Sequence, residues 1–440
     1  MDLKEKLINE YPVFESRLNG NAKSELHKIR LDALNHFKTS GFPTKKLEEW
    51  RFTDIKSVLD KNYNITLDSK EISKEEIKSF QIKNFAVNLI VLVNGKYSDK
   101  LSEIRDKEKG VIIKSFRTAL KDHSDLISMH FAKHASITTD GFTAINTAYT
   151  NDGVFISVPE NSELKHPVYI LNITDSRNGE VMYNPRHLIV MGENSKAQII
   201  EIYYSLGEKS SFSNVVTEIY NAAGSDLRYY KIQNEGPDCY HVGTTQVKQE
   251  KNSRFFSVTV SWGGGVTRNN LNSLMNGENI ECIYKGLYYL KGNQHLDNHT
   301  LADHATPNCH SNELYKGILD GNSDGVFNGK IMVRKDAQKT NAYQMNNNIL
   351  LSNSASINSK PQLEIYADDV KCSHGATTGQ LDDDQLFYLR ARGIGAEESR
   401  KLLLYAFANE IVEEVNIEPL KMMLEKTLKE KLDWGVNFEF

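Results

Sequence analysis

Near the start of the chain, apolar positions recur at helical spacing. Leu26, Ile29, Ala33 and Phe37 form one stripe with Arg30 beside them, and Gly41-Phe42-Pro43 supplies a stop. Residues 1 to about 60 therefore read as helical, and the charged stretch Lys70 to Lys83 as a helix or linker. NLIVLVNGKYSDKLS then reads as two short strands around Asn94-Gly95, a dipeptide suited to hairpin turns. A short helix around His123 to His134 closes this part.

From about Gly141 to Gly379 the period changes to two, the mark of strands. HLIVMGENSKAQIIEIYYS, VVTEIYNAAGSDLRYYKI, SLMNGENIECIYKGLYYL and GILDGNSDGVFNGKIMV each set alternating residues around a small polar turn. Gly192, Gly224, Gly277, Gly321 and Ser354 mark these turns without a fixed period. That argues against a propeller or leucine-rich array and leaves stacked coils with variable corners, or a sandwich. The Gly/Asn/Ser corners suit a parallel β-helix, as does the run Asn346-Asn347-Asn348, whose amides can ladder between layers. Periodicity alone leaves the two open.

The last region returns to helical spacing. Asp382-Asp383-Asp384 supplies negative charge to the start of a helix that runs through Arg392 and ends at Gly393. Leu404, Phe407, Ala408, Ile411 and Val415 stripe a second helix, Ala396 to Val415, and a third, carrying Leu420, Leu424 and Leu428, begins at Pro419. Three regions result, at residues 1–135, 136–379 and 380–440.

With 440 residues, the chain has ample length for a core without disulfides, and its four cysteines, Cys239, Cys282, Cys309 and Cys372, form no CxxC. No segment approaches a membrane span, and the N-terminus lacks the apolar core of a signal peptide. A net charge of -5 without a long basic run argues against nucleic acid as the main ligand. These features are those of a cytoplasmic protein.

The strongest candidate chemistry lies in KPQLEIYADDVKCSHGATT, Lys360 to Thr378. Leu363, Ile365 and Ala367 alternate as in a half-buried strand, Asp368-Asp369 reads as a turn, and Cys372 and His374 then share a strand face. A thiol and an imidazole so spaced can meet one metal, although such a pair is more often structural. His295, Asp297 and His299 also alternate on one face, followed by His304, Cys309 and His310. Without a helical H-E-x-x-H or a second cysteine, that group reads as a polar sheet face or a subunit contact. No phosphate loop or G-x-S-x-G elbow is present, and Gly207-Glu208-Lys209-Ser210 lacks the upstream glycine, so neither ATP hydrolysis nor acyl transfer by this chain is expected. Trp262-Gly263-Gly264-Gly265 reads as a tight corner.

KPQLEIYADDVKCSHGATTGQLDDDQLFYLRARGI closely resembles the C-terminal signature of the SufB/SufD family, scaffold proteins of iron-sulfur cluster assembly. The resemblance extends through HLDNHTLADHATPNCHSNELYKGILDG and GVFNGKIMVRKDAQKTNAYQMNNNILLS and reappears in GFPTKKLEEWRFTDI, Gly41 to Ile55. Leu389 stands where SufB-like chains carry a cysteine, an N-terminal cysteine cluster is missing, and the N-terminal words are SufD-like; together these indicate the SufD branch. The resemblance implies a right-handed parallel β-helix core flanked by helical regions, and a non-catalytic scaffold subunit that pairs with SufB. Its terminal helices would dock the ATPase SufC, which would hydrolyse the ATP. It further implies His374 as ligand to iron or to a transient cluster shared with SufB, with no cofactor held tightly by the isolated chain, which can also form a homodimer. Cys372 is the secondary candidate, for metal binding or sulfur handling, and burial between the paired strands is its favoured role. The competing class is a carbohydrate-active β-helix enzyme drawing on Asp297, Asp303, Asp320 and Asp324.

Overall fold

Each alternating segment feeds one strand to each of two facing sheets, so the chain winds as a parallel β-solenoid with helices at both ends. This is a computed structural model, and it describes residues 2–18, 25–65 and 71–433. One sheet begins with Asn88–Val93 and continues through Val168–Asp175, Lys196–Leu206, Asp226–Gln233, Arg254–Ser261, Glu281–Leu290, His310–Leu319 and Asn341–Leu350 to Lys371–Gly379. The other runs from Gly153–Val158 through Arg186–Met191, Ser211–Asn221, Cys239–Gln249, Val266–Met275 and His295–His304 to Asp324–Val333, on which Ser356–Ser359 and Gln362–Ile365 both pair. Neighbouring strands are one coil apart in sequence and therefore parallel. The Asn94-Gly95 hairpin is an antiparallel exception, with φ of 47° and 74° at its two central residues.

The polar turns that punctuate the strands are corners between the two sheets. Asn194, Gly224, Asn252, Asn279 and Asn308 hold the left-handed conformation there, with φ from 54° to 69°, which asparagine and glycine adopt at least cost. Corners stack: the N–H groups of Asn194, Gly224 and Asn252 donate to Ala223, Lys251 and Glu278 of the next coil, each at 2.9 Å. Successive strands of the first sheet start at Lys196, Asp226, Arg254, Glu281, His310, Asn341 and Lys371. The steps are unequal, so the corner recurs in space but not at a fixed sequence period. Gly263 and Gly265 act differently, since a Cβ on either would lie 2.3 Å or less from a carbonyl oxygen of the preceding coil.

Apolar burial is divided among the lumen and the two outer faces. Ile189, Ile199, Val247, Leu271, Leu296, Phe327 and Val333 fill the lumen. On the outer face of the first sheet, Val258, Val260, Trp262, Leu287 and Ile318 are covered by Leu404, Ala408 and Ile411 of helix Ala396–Val412 and by Leu420, Leu424 and Leu428 of helix Glu418–Lys431. The expected stripe therefore packs on the core, Phe407 only partly, and the helix ends three residues before Val415. On the second sheet, Phe212 and Val242 lie under Leu3, Phe37 and Trp50, while Phe155, Leu188 and Val190 lie under Phe116, Ile127 and Phe131. Of the expected N-terminal stripe, Ala33 and Phe37 are fully buried with Arg30, whose guanidinium donates to the Thr150 carbonyl. The expected helix or linker at residues 70–83 is realised as helix Lys74–Ile77, Lys70 itself lying outside the described residues. No described helix is long and apolar enough to cross a membrane.

Candidate functional site

The last coil exposes the motif that the sequence singles out. Strand Gln362–Ile365 ends, the chain bends at Asp368-Asp369, and Lys371–Gly379 pairs with Asn341–Leu350 in the register Ala342 to Cys372 and Gln344 to His374. No described strand continues the sheet beyond Lys371–Gly379, whose outer N–H and C=O groups form an open edge. Ala342 and Gln344 face the lumen at 0 % and 2 % exposure, so Cys372 and His374 stand in the same inward columns. With no further coil above them, Cys372 is half-buried and His374 exposed. Burial pushes the Cys372 thiol up, which disfavours the thiolate at neutral pH until a cation or partner compensates.

Below this pair the lumen is polar. Gln344 Nε2 donates to Glu313 Oε2 at 2.7 Å, and burial pushes the Glu313 carboxyl up to about 7. Asn348 Nδ2 and Ser359 Oγ both donate to Asn346 Oδ1 at 2.8 Å. The Asn346-Asn347-Asn348 run also bonds between coils: Asn346 Nδ2 donates to the Tyr315 carbonyl and the Tyr288 hydroxyl at 3.2 Å, and the last strand is reached by Asn347, accepting from Thr377 Oγ1 at 2.9 Å, and by Asn348 Nδ2, donating to the Thr377 carbonyl at 3.4 Å. One sulfur and one imidazole on a single strand face offer at most two donors to a metal, so a complete centre would need donors from elsewhere.

The HLDNHT group has another task. His295, Asp297 and His299 project from the outer face of their strand and grip the turn Glu48–Trp50 and the residues after it. Thr53 Oγ1 donates to Asp297 Oδ2 at 2.5 Å and lies 3.0 Å from His295 Nε2, while Asp297 meets Arg268 at 2.5 Å and His299 at 2.9 Å. His299 also reaches Glu49 at 3.3 Å, and Arg268 stacks on the Trp50 ring at 3.8 Å. The polar-face expectation therefore holds, with an N-terminal segment of the same chain as the cover. His304 bonds Ser311 inside the lumen, Cys309 is buried at a corner, and His310 is exposed. No group of three or more metal-binding side chains converges among the described residues.

Burial opposes ionisation of Asp297, but Arg268 and His299 outweigh it and hold the carboxyl well below the usual carboxylate range. A folded-state pKa below the unfolded value of about 4 contributes stability that is complete above the unfolded value and is lost progressively as the pH falls from there through the folded one. We expect Asp297→Asn to make the Arg51 region more susceptible to trypsin at pH 7. Equal cleavage of the variant and the unaltered protein would show that these contacts do not anchor the segment.

Sequence reasoning passed over a buried network deeper in the lumen. Lys231 Nζ donates to His241 Nε2 at 3.2 Å, Glu201 accepts from the hydroxyls of Tyr203 and Tyr229, and His187 lies 3.5 Å from Glu201. Each is a polar side chain at a lumen-facing position, and that break in the inward apolar pattern is the signal that could have found them. Asp303, one of the carboxylates the carbohydrate-enzyme reading requires, pairs with Arg334, and Asp324 with His295.

Comparison with known proteins agrees with this geometry. The SUF system FeS cluster assembly SufBD core domain matches residues 172–407, and the SufBD protein N-terminal region matches residues 1–170. An iron-sulfur cluster assembly SufBD family protein of Synechocystis is 32% identical over 92% of this chain and 91% of its own length. The iron-sulfur cluster assembly protein SufD of Escherichia coli is 31% identical over 90% of this chain and 91% of its own, and that of Bacillus subtilis 28% over 92% and 94%. These matches give no support to a carbohydrate-active enzyme, and the chain belongs to the SufBD family of iron-sulfur cluster assembly proteins, within its SufD group.

Proposed function

We propose that this chain is the SufD-type subunit of a cytoplasmic SufB/SufC/SufD scaffold, pairing with SufB across its terminal coil and sharing a nascent cluster or iron there through His374, with Cys372 as second ligand. The observation that carries this reading is the coincidence of the open edge and the ligand pair on one strand, Lys371–Gly379. An unpaired edge invites strand addition from another chain, which would set that chain's side chains beside His374. Neutral imidazole is a competent ligand for iron, and a partner thiolate would complete the site. The iron or cluster is cargo in transit, and the chain acts by binding and positioning it, without a catalytic role of its own. The same edge could instead close a homodimer when SufB is absent.

SufC docking falls to helix Asp383–Ala391, which buries none of its residues and exposes Phe387 and Tyr388 at 72% and 58%. The two helices after it cover Trp262 and Leu287, so truncation at Gly379 would strip the core as well. Point changes are the cleaner test. Phe387→Ala with Tyr388→Ala should reduce SufC capture by at least about tenfold, as expected for aromatic anchors worth 2 kcal/mol or more, with an unchanged circular dichroism spectrum. Full capture would move the docking surface elsewhere. Purification of the untagged native assembly, with iron and sulfide analysis, tests the whole reading: recovery without SufB or SufC homologues would overturn it.

A further inference from the structure

The structure brings two other imidazoles together far from the terminal coil. Helix Ser124–His130 ends in His130, and the chain turns through Ala132, at φ 56°, to His134, whose Nε2 shares a hydrogen bond with His130 Nδ1 at 3.2 Å that an ion between the two nitrogens would replace. Both rings lean on Tyr220, with centroids at 4.7 and 5.8 Å, and both are only partly buried, so the pair opens to solvent. The turn is held from beneath: Glu218, wholly buried, accepts from the N–H groups of Ala132, His134 and Ala135 at 2.8, 2.9 and 3.0 Å.

We propose that His130 and His134 form a bidentate site for a divalent first-row transition ion of the zinc or copper class. Two nitrogens each about 2.1 Å from an ion, subtending about 100° at it, stand about 3.2 Å apart, which is the separation the fold imposes. Occupation needs no proton release, because each ring can carry its hydrogen on the nitrogen turned away from the ion and offer the other lone pair. Lys248 and Arg186 oppose positive charge at the pair, and the carboxylates they are paired with, Glu250 at 3.0 Å and Glu218, offset them. Water completes the coordination, and the ion would clip the end of the helix to the turn that follows it.

Zinc binding by the full chain is measured by calorimetry, with His374→Ala included to separate this site from the terminal one. The expected result is one zinc equivalent that survives in His374→Ala and disappears in His130→Gln with His134→Gln. Unchanged stoichiometry in the double variant overturns the site. A second measurement needs no variant. Zinc should slow diethyl pyrocarbonate modification of the peptide carrying His130 and His134 in the unaltered chain at least about threefold relative to that of exposed His310; equal rates with and without zinc would also overturn it.

Discussion

His374→Ala should leave the three-protein assembly intact and cut its iron and sulfide content to below about a tenth of the unaltered level, since changes to groups that merely support a ligand already cost about 10–100-fold in metal affinity. The side chain is exposed at the end of the lumen, so its removal opens no cavity and leaves the ladder to Asn341–Leu350 unchanged. Cys372→Ala should have the milder effect on loading. Its sulfur is half-buried against the lumen core beside Ala342, and burial disfavours its thiolate, so part of what it contributes is packing. The measurement is cluster content at equal complex yield, together with rescue of a strain lacking the native gene. Wild-type loading and full rescue by His374→Ala would remove the ligand assignment, whereas loss of the assembly itself would make the residue structural. Zinc binding at His130 and His134 is independent of this outcome, because that pair lies on the outer face of the other sheet.

Strand alternation made the β-region legible as strands around polar turns, and the Cys372/His374 strand was legible down to its bend at Asp368-Asp369. What periodicity left open was whether the polar turns were hairpins of a sandwich or corners of coils. The two differ in which strand lies beside which, and that depends on partners one coil away in sequence. The helical stripe at Leu404 and Ile411 was visible, but the contrast between it and the bare helix carrying Phe387 was not, since exposure depends on what the sheet presents to each. The HLDNHT group showed as a polar face with no visible cover. Its counterparts Glu49 and Thr53 are more than 200 residues away in sequence, and spacing rules do not reach that far. The pairing of His130 with His134 depends on a left-handed Ala132, a conformation that alanine does not announce.

That left-handed turn depends on one carboxylate, and Glu218→Ala should destabilise the chain by about 3–5 kcal/mol, the usual cost of breaking a fully buried pair. Arg186 and Glu218 are both at 0 % exposure, with Nη2 2.5 Å from Oε1, and the guanidinium also lies 5.0 Å from the Phe131 ring centroid. Alanine would strand the guanidinium with only Asn146 Oδ1 and Thr147 Oγ1 as acceptors, and it would leave three backbone N–H groups at residues 132, 134 and 135 without theirs. An unsatisfied buried donor costs about 1–3 kcal/mol, and the strained Ala132 would lose the contact that fixes it. Glu218→Gln retains an acceptor oxygen for the turn but no charge for Arg186, so its loss should be intermediate. Replacing both partners, Arg186→Met with Glu218→Gln, should cost less than the sum of the single changes, because the uncompensated charge is then gone. Urea midpoints followed by circular dichroism rank the unaltered protein, Glu218→Ala, Glu218→Gln, Arg186→Met and the double variant. A loss below about 1 kcal/mol for Glu218→Ala would mean that solvent reaches Arg186 in the folded chain, and that this junction between the N-terminal helices and the solenoid is looser than its geometry implies.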